Sequence, residues 1–125
     1  MPVSINYNRE KDILYVRVKS PAGVDDFKMT LTQIVNSKEH ASDVNALWDL
    51  RELNFVEMEP AFLKEIVAIK KSTPERKGTK RALVIPNDLA FGMTKMYESM
   101  ASDLPDEIMI FRSFENAEIW LMSGA

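Results

Sequence analysis

The stretch RALVIPNDLAFGM, residues 81–93, decides the architecture. Ala82 to Ile85 form an unbroken apolar run of the kind carried by a strand covered on both faces. Pro86 closes it, since proline cannot donate to a sheet ladder. Asn87 and Asp88 then supply side-chain oxygens suited to the free N–H groups at a helix start. Leu89, Met93, Met96, Tyr97, Met100 and Leu104 follow at helical spacing and predict one apolar face. A strand that leads through a cap into an amphipathic helix is half of a parallel β-α-β unit.

The same grammar recurs on either side. Upstream, Ala46, Leu47, Trp48 and Leu50, interrupted by Asp49, read as a central strand. Pro60 suits the first turn of a helix carrying Phe62, Leu63, Ile66, Val67 and Ile69, which dissolves at Thr73-Pro74. Downstream, Ile108 to Phe111 predict a last strand and Ser113 a cap. Phe114, Ala117, Trp120 and Leu121 then line a short helix that Gly124 can end. Near the start, Val3, Ile5 and Tyr7 alternate with polar residues, as do Leu14, Val16 and Val18 after a polar break, which predicts a hairpin. Between hairpin and central strand, Pro21 and Gly23 punctuate the chain, and Asp25 or Asp26 can cap a helix. Val24, Phe27, Leu31, Ile34 and Val35 mark that helix, which ends near His40. The predicted order is β-β-α-β-α-β-α-β-α, a single α/β domain with a mostly parallel sheet, an N-terminal antiparallel hairpin and helices on the faces.

Composition narrows the function classes. A chain of 125 residues, 46% hydrophobic and 28% charged, has an ordinary globular balance and is long enough for one core. No apolar run approaches the ~20 residues of a membrane span. The first residues resemble no secretory signal, so a cytoplasmic protein with no integral membrane association is expected. With no cysteine and His40 as the only histidine, neither a zinc site nor redox chemistry is expected. The glycines, Gly23, Gly78, Gly92 and Gly124, form no phosphate-cradling loop, and no cofactor is expected. The basic block Lys70, Lys71, Arg76, Lys77, Lys80 and Arg81 spans a helix end, a loop and a strand start, and it lacks interleaved aromatics. It therefore reads as a solvated loop with no nucleic-acid partner, the remaining use being contact with an acidic partner or an anionic surface.

Several residues are candidates for binding. Open α/β sheets bind ligands beyond the carboxyl ends of their strands, which directs attention to Asp49 and Arg51, to Asn87 and Asp88, and to Arg112 and Ser113. They are either a polar rim in which Arg51 or Arg112 meets an anion, or helix caps at Asp88 and Ser113 with Asp49 paired to Arg51. Met93, Met96 and Met100, with Phe91 and Tyr97 nearby, concentrate deformable side chains on one helix. That face is either core or a groove for an apolar partner. Gly92 suits a close backbone approach to a neighbour. His40 has no nucleophile beside it in any motif, and the carboxylate pairs Glu57 with Glu59 and Asp103 with Asp106 fall in polar stretches where such charges are solvated. No enzyme activity is expected.

Three stretches, ALWDLREL (residues 46–53), RALVIPNDLAFGM (residues 81–93) and IFRSFENAEIWL (residues 110–121), resemble the SpoIIAA-like family, a relative of the STAS domains that shares its fold with the CRAL-TRIO (Sec14) lipid-carrying domains. The likeness is to a poorly characterised branch and implies a SpoIIAA-like fold. In the regulatory STAS proteins, D-L-S is followed after two residues by D-S-S-G-L, with one serine phosphorylated by a partner kinase. Laid on that pattern without gaps, this sequence has Glu57, Met58, Glu59 and Pro60 over D-S-S-G, so the phosphoacceptor is missing. Glu59 is either an imitation of phosphoserine or an ordinary residue at the positive end of a helix dipole. The resemblance implies a non-catalytic interaction module for a protein partner. The alternative is a binder of a small apolar or lipid-like ligand through the methionine-rich helix, and a homodimer is the default assembly.

Overall fold

A computed structural model describes residues 2–41, 43–72 and 79–123. The elements are β1 (Val3–Asn8), β2 (Ile13–Lys19), α1 (Val24–Asn36), β3 (Asn45–Glu52), α2 (Pro60–Ser72), β4 (Lys80–Val84), α3 (Asp88–Met100), β5 (Glu107–Phe111) and α4 (Phe114–Met122). This is the predicted order. Thr73, Pro74, Arg76, Lys77, Gly78 and Gly124 lie outside the described residues.

β1 pairs antiparallel with β2, and β2 to β5 run parallel in a sheet whose spatial order is the chain order. The hairpin turns at Asp12, which takes a left-handed φ of 53° and accepts a hydrogen bond from the Tyr7 hydroxyl at 2.6 Å. Aspartate tolerates that conformation better than most residues. Because each strand is laid beside its predecessor, every right-handed crossover steps the same way and delivers its helix to the same face. α1, α2 and α3 accordingly share one core with Leu14, Val16, Val18, Ala46, Trp48, Leu50 and Leu83. Among the described residues only α4 covers the opposite face, where Ala117 and Leu121 pack on Ile13, Leu47, Ala82 and Val84. The expectation of helices on both faces holds, divided three to one.

Local chemistry sets the helix ends. Gly23, rather than Asp25 or Asp26, is the N-cap of α1, and Asp26 accepts from the Gly23 N–H at 2.8 Å. α1 stops at Asn36, short of His40. Asn87 caps α3 by accepting from the Ala90 N–H at 2.9 Å, which leaves Asp88 as the first helical residue. Ser113 caps α4 as expected. Among the described residues no helix is long and apolar enough to cross a membrane.

The buried row of α3 differs from expectation. It is Ala90, Thr94 and Tyr97, continued by Ala101 just past the helix end; of the expected row Leu89, Met93, Met96, Tyr97, Met100 and Leu104, Tyr97 is buried, whereas Leu89, Met93, Met96 and Met100 lie about a quarter-turn away. The small residues let α3 settle close to the sheet. Met93 and Met100 flank the contact half-buried, while Leu89 and Met96 face solvent. Gly92 is exposed, and a β-carbon there would meet nothing within 4 Å, so no close approach explains it.

Candidate functional site

Under the three-helix layer the core is incompletely filled. A cavity of about 70 Å³ lies between Phe27 and Leu31 of α1, Phe62, Leu63 and Ile66 of α2, Met93, Thr94 and Tyr97 of α3, and Trp48, Leu50 and Leu83 of the sheet. Buried Leu53 and Phe55 of the β3–α2 connection, followed by half-buried Met58, complete the wall. Aromatic contacts brace it. The Phe27 ring stacks on Trp48 at 6.1 Å and meets the edge of Phe62 at 5.7 Å. Met58, Phe62 and Met93 are the half-buried apolar members and form the side nearest solvent.

A buried charged cluster lies behind this apolar lining. Arg81 occupies a core-facing position of β4, with its side chain 3% exposed. Its Nη1 lies 3.4 Å from Asp106, which also accepts from the Lys70 ammonium at 2.5 Å, and those side chains are 4% and 8% exposed. Burial alone would raise the Asp106 carboxyl, but the charges of Arg81 and Lys70 and the Lys70 hydrogen bond outweigh it and hold the group below the ordinary carboxylate range. Burial pushes the neighbouring Tyr97 phenol up to about 12, against a smaller lowering by Arg81. Arg81 also sits over the Trp48 ring, 5.8 Å from its centroid. Three buried nitrogens here have no hydrogen-bond partner among the described residues, namely Arg81 Nε, Arg81 Nη2 and Trp48 Nε1. Leaving a buried donor unmet costs about 1–3 kcal/mol.

The predicted site residues are distributed over the molecule. Met93 and Tyr97 line the cavity, Met100 packs half-buried beside the core, and Met96 is exposed. Asp49 and Arg51 lie on the other face of the sheet as a bidentate pair, Nε and Nη2 donating at 2.8 and 2.9 Å, with the guanidinium over the Phe114 ring. The hydrogen bond from Arg51 lowers the Asp49 carboxyl below its ordinary value. They border an open groove of about 400 Å³ with Ser4, Asn6, Tyr15 and Arg17. Its charges are already paired and face solvent, which makes it the weaker candidate. Arg112 pairs with Asp88 and lies over the exposed Phe91 ring. Asn87 is occupied as a cap, and Glu59 is exposed immediately ahead of α2. The strand-end residues thus form separate pairs rather than one rim. Among the described residues no group of three or more His, Asp or Glu could hold a metal ion.

Two expectations are corrected. Lys70, Lys80 and Arg81 are not a solvated loop: Lys70 and Arg81 flank Asp106, and Lys80 lies over the Trp120 ring at 5.2 Å and donates to Ser123. Asp106 is likewise buried, unlike Asp103, which makes an exposed pair with Lys71. The residues missed, Arg81, Lys70, Asp106 and Trp48, come from four elements or their flanks. One signal was readable, because Arg81 stands two and four residues before Leu83 and Ile85, which in a strand puts it on their core face.

No family model and no curated protein matches the sequence. Among solved structures, the chain is similar to the crystal structure of an uncharacterized protein from the DUF3478 family, with a SpoIIAA-like fold, from Shewanella loihica PV-4. The two share 15% sequence identity with a TM-score of 0.65, over 95% of this chain and 91% of that one. With a five-stranded mixed sheet, four helices in the expected order and this structural likeness, the chain has a SpoIIAA-like fold.

Proposed function

We propose that this protein is a non-catalytic binding module that takes a small, largely apolar molecule into the cavity between its three-helix layer and its sheet. The observation that carries the reading is a carbon-lined space of about 70 Å³ whose outer side is built from Met58, Phe62 and Met93. An apolar cavity of about 150 Å³ accepts a benzene ring, so this one holds part of such a group as it stands. Methionine side chains re-pack cheaply, and rotamer changes at Met58 and Met93 would enlarge it. The polar groups behind the lining are tied into ion pairs rather than poised as acid and base, which supports binding over catalysis. The test is methionine-methyl NMR during titration with 3-phenylpropanol. The Met58 and Met93 signals are expected to move while those of the exposed Met29 and Met122 stay put. Unmoved or uniformly moved signals would refute the reading.

A second use, docking on another copy of the chain, is favoured by the outward row of Leu89 and Met96 on α3. Sedimentation of the wild type against Met96→Glu tests it, and identical monomeric profiles would exclude it.

A further inference from the structure

The two edges of the sheet are unlike. β1 follows Pro2 and shows Ser4 and Asn6 to solvent, so its outer edge is bordered by polar side chains. β5, at the other edge, has no strand on its outer side among the described residues, and from Ile108 to Phe111 it carries neither charge nor proline. Its register with β4 runs without a bulge. The Glu107 N–H donates to the Thr79 carbonyl and the Phe111 carbonyl accepts from the Ile85 N–H, both at 2.9 Å, so Glu107, Met109 and Phe111 turn their backbone groups toward β4. By alternation, the N–H and C=O groups of Ile108 and Ile110 point outward. Apolar side chains border this edge on both faces of the sheet. On one, Met109 is 41% exposed next to half-buried Phe111, whose ring meets Trp120 at 5.7 Å. On the other lie half-buried Ile108 and Ile110 and, on α3, the exposed Phe91 ring beneath Arg112.

We infer that β5 is where two copies of this chain join, edge to edge and antiparallel about a two-fold axis at Met109, so that their sheets become one. The occupant is a second copy because the strand is complementary to itself. The axis sets Ile108 against Ile110 of the second copy, whose outward N–H and C=O groups then exchange hydrogen bonds, and sets Met109 against its own counterpart. β-Branched residues directly opposite each other stabilise such a ladder. Glu107, the one charge in the strand, falls opposite Phe111 of the second copy rather than another Glu107, so no like charges meet. The same register overlaps the whole of β5. This interface is distinct from the outward row of α3 and does not depend on the cavity.

Cysteine cross-linking of the full chain tests the register, since the protein has no cysteine of its own. Residues opposite each other at a non-hydrogen-bonded position lie about 4.5 Å apart at Cα, within the span of a disulfide. Met109→Cys is therefore expected to give a covalent dimer under mild oxidation. Glu107→Cys, on the same face of the strand, is expected to give none, because its two copies would stand roughly 14 Å apart at about 3.4 Å per residue. Sedimentation equilibrium gives an independent readout, and Met109 is exposed, so changing it leaves the core intact. The wild type is expected to be dimeric, and Met109→Glu, which opposes two carboxylates across the axis, monomeric with an unchanged circular dichroism spectrum. Met96→Glu is expected to remain dimeric. A monomeric wild type, equal cross-linking of the two cysteine variants, a dimer that survives Met109→Glu, or one that dissolves on Met96→Glu would each overturn the inference.

Discussion

Replacing Asp106 with Asn takes away the carboxylate that Lys70 and Arg81 share while keeping the shape of the side chain. The three side chains are 4%, 8% and 3% exposed, so solvent does little to compensate. Removing one member of a buried ion pair costs about 3–5 kcal/mol, because the remaining charge stays desolvated. For a domain whose whole stability is roughly 5–15 kcal/mol, that is a large share. With a urea slope of about 2 kcal/mol/M, the unfolding midpoint should fall by about 2 M. Asp103→Asn is the matched control, since it breaks the exposed Lys71–Asp103 pair at 3.3 Å and should cost well under 1 kcal/mol. The pH dependence carries a second signature. A carboxyl held below its ordinary value in the folded state contributes stability that is complete above the unfolded value of about 3.9. It loses that contribution as pH falls through the lowered folded value. The gap between wild type and Asp106→Asn should therefore narrow as the solution is acidified below about pH 4. Urea melts of the three proteins at several pH values measure both effects. Equal midpoints for the two variants, or a gap that does not change with pH, would refute the account of the buried cluster.

Two further outcomes follow from the same structure. All three tyrosines ionise late: Tyr7 because its hydroxyl donates to Asp12, Tyr15 because of burial and its 2.6 Å bond to Glu118, and Tyr97, at about 12, because of burial. Raised phenol values keep their stabilising contribution below about pH 10 and lose it as pH rises through the folded values, so the rise in absorbance at 295 nm should come at higher pH in the folded protein than in the urea-unfolded chain. Gly92→Ala, at an exposed helical position where a β-carbon meets nothing within 4 Å, should raise stability by about 0.5–1 kcal/mol, read as a higher melting temperature. A lower one would mean that the backbone there needs glycine.

The element order was legible because alternation and helical spacing act over short distances, and each strand lies beside the next in the chain. The Asp49–Arg51 pair was legible for the same reason, two residues apart on one strand face. The seating of α3 was not. Its contact row of Ala90, Thr94 and Ala101 carries a weak hydrophobic signal beside the bulky methionines, yet smallness is what brings a helix close to a sheet. The buried cluster escaped because charge ordinarily means solvent, and because Lys70, Arg81 and Asp106 meet only when α2, β4 and the approach to β5 are packed together. Only the alternation of Arg81 with Leu83 and Ile85 pointed inward, and a cavity bordered by Trp48 and Met93 is a property of packing that no local pattern encodes.

The three-to-one division of helices also has a consequence in time. As the chain leaves the ribosome, each crossover helix arrives between the strands it covers, so one side of the growing sheet is clothed as it forms. The other side waits. Ile13, Leu47, Ala82 and Val84, drawn from three strands, have no cover until Ala117 and Leu121 of α4 reach them. During that interval a nascent chain with a nearly finished sheet displays a strip of aliphatic side chains, a surface prone to sticking to other chains. Nine residues, Phe114–Met122, end that exposure. The last helix acts as a late seal.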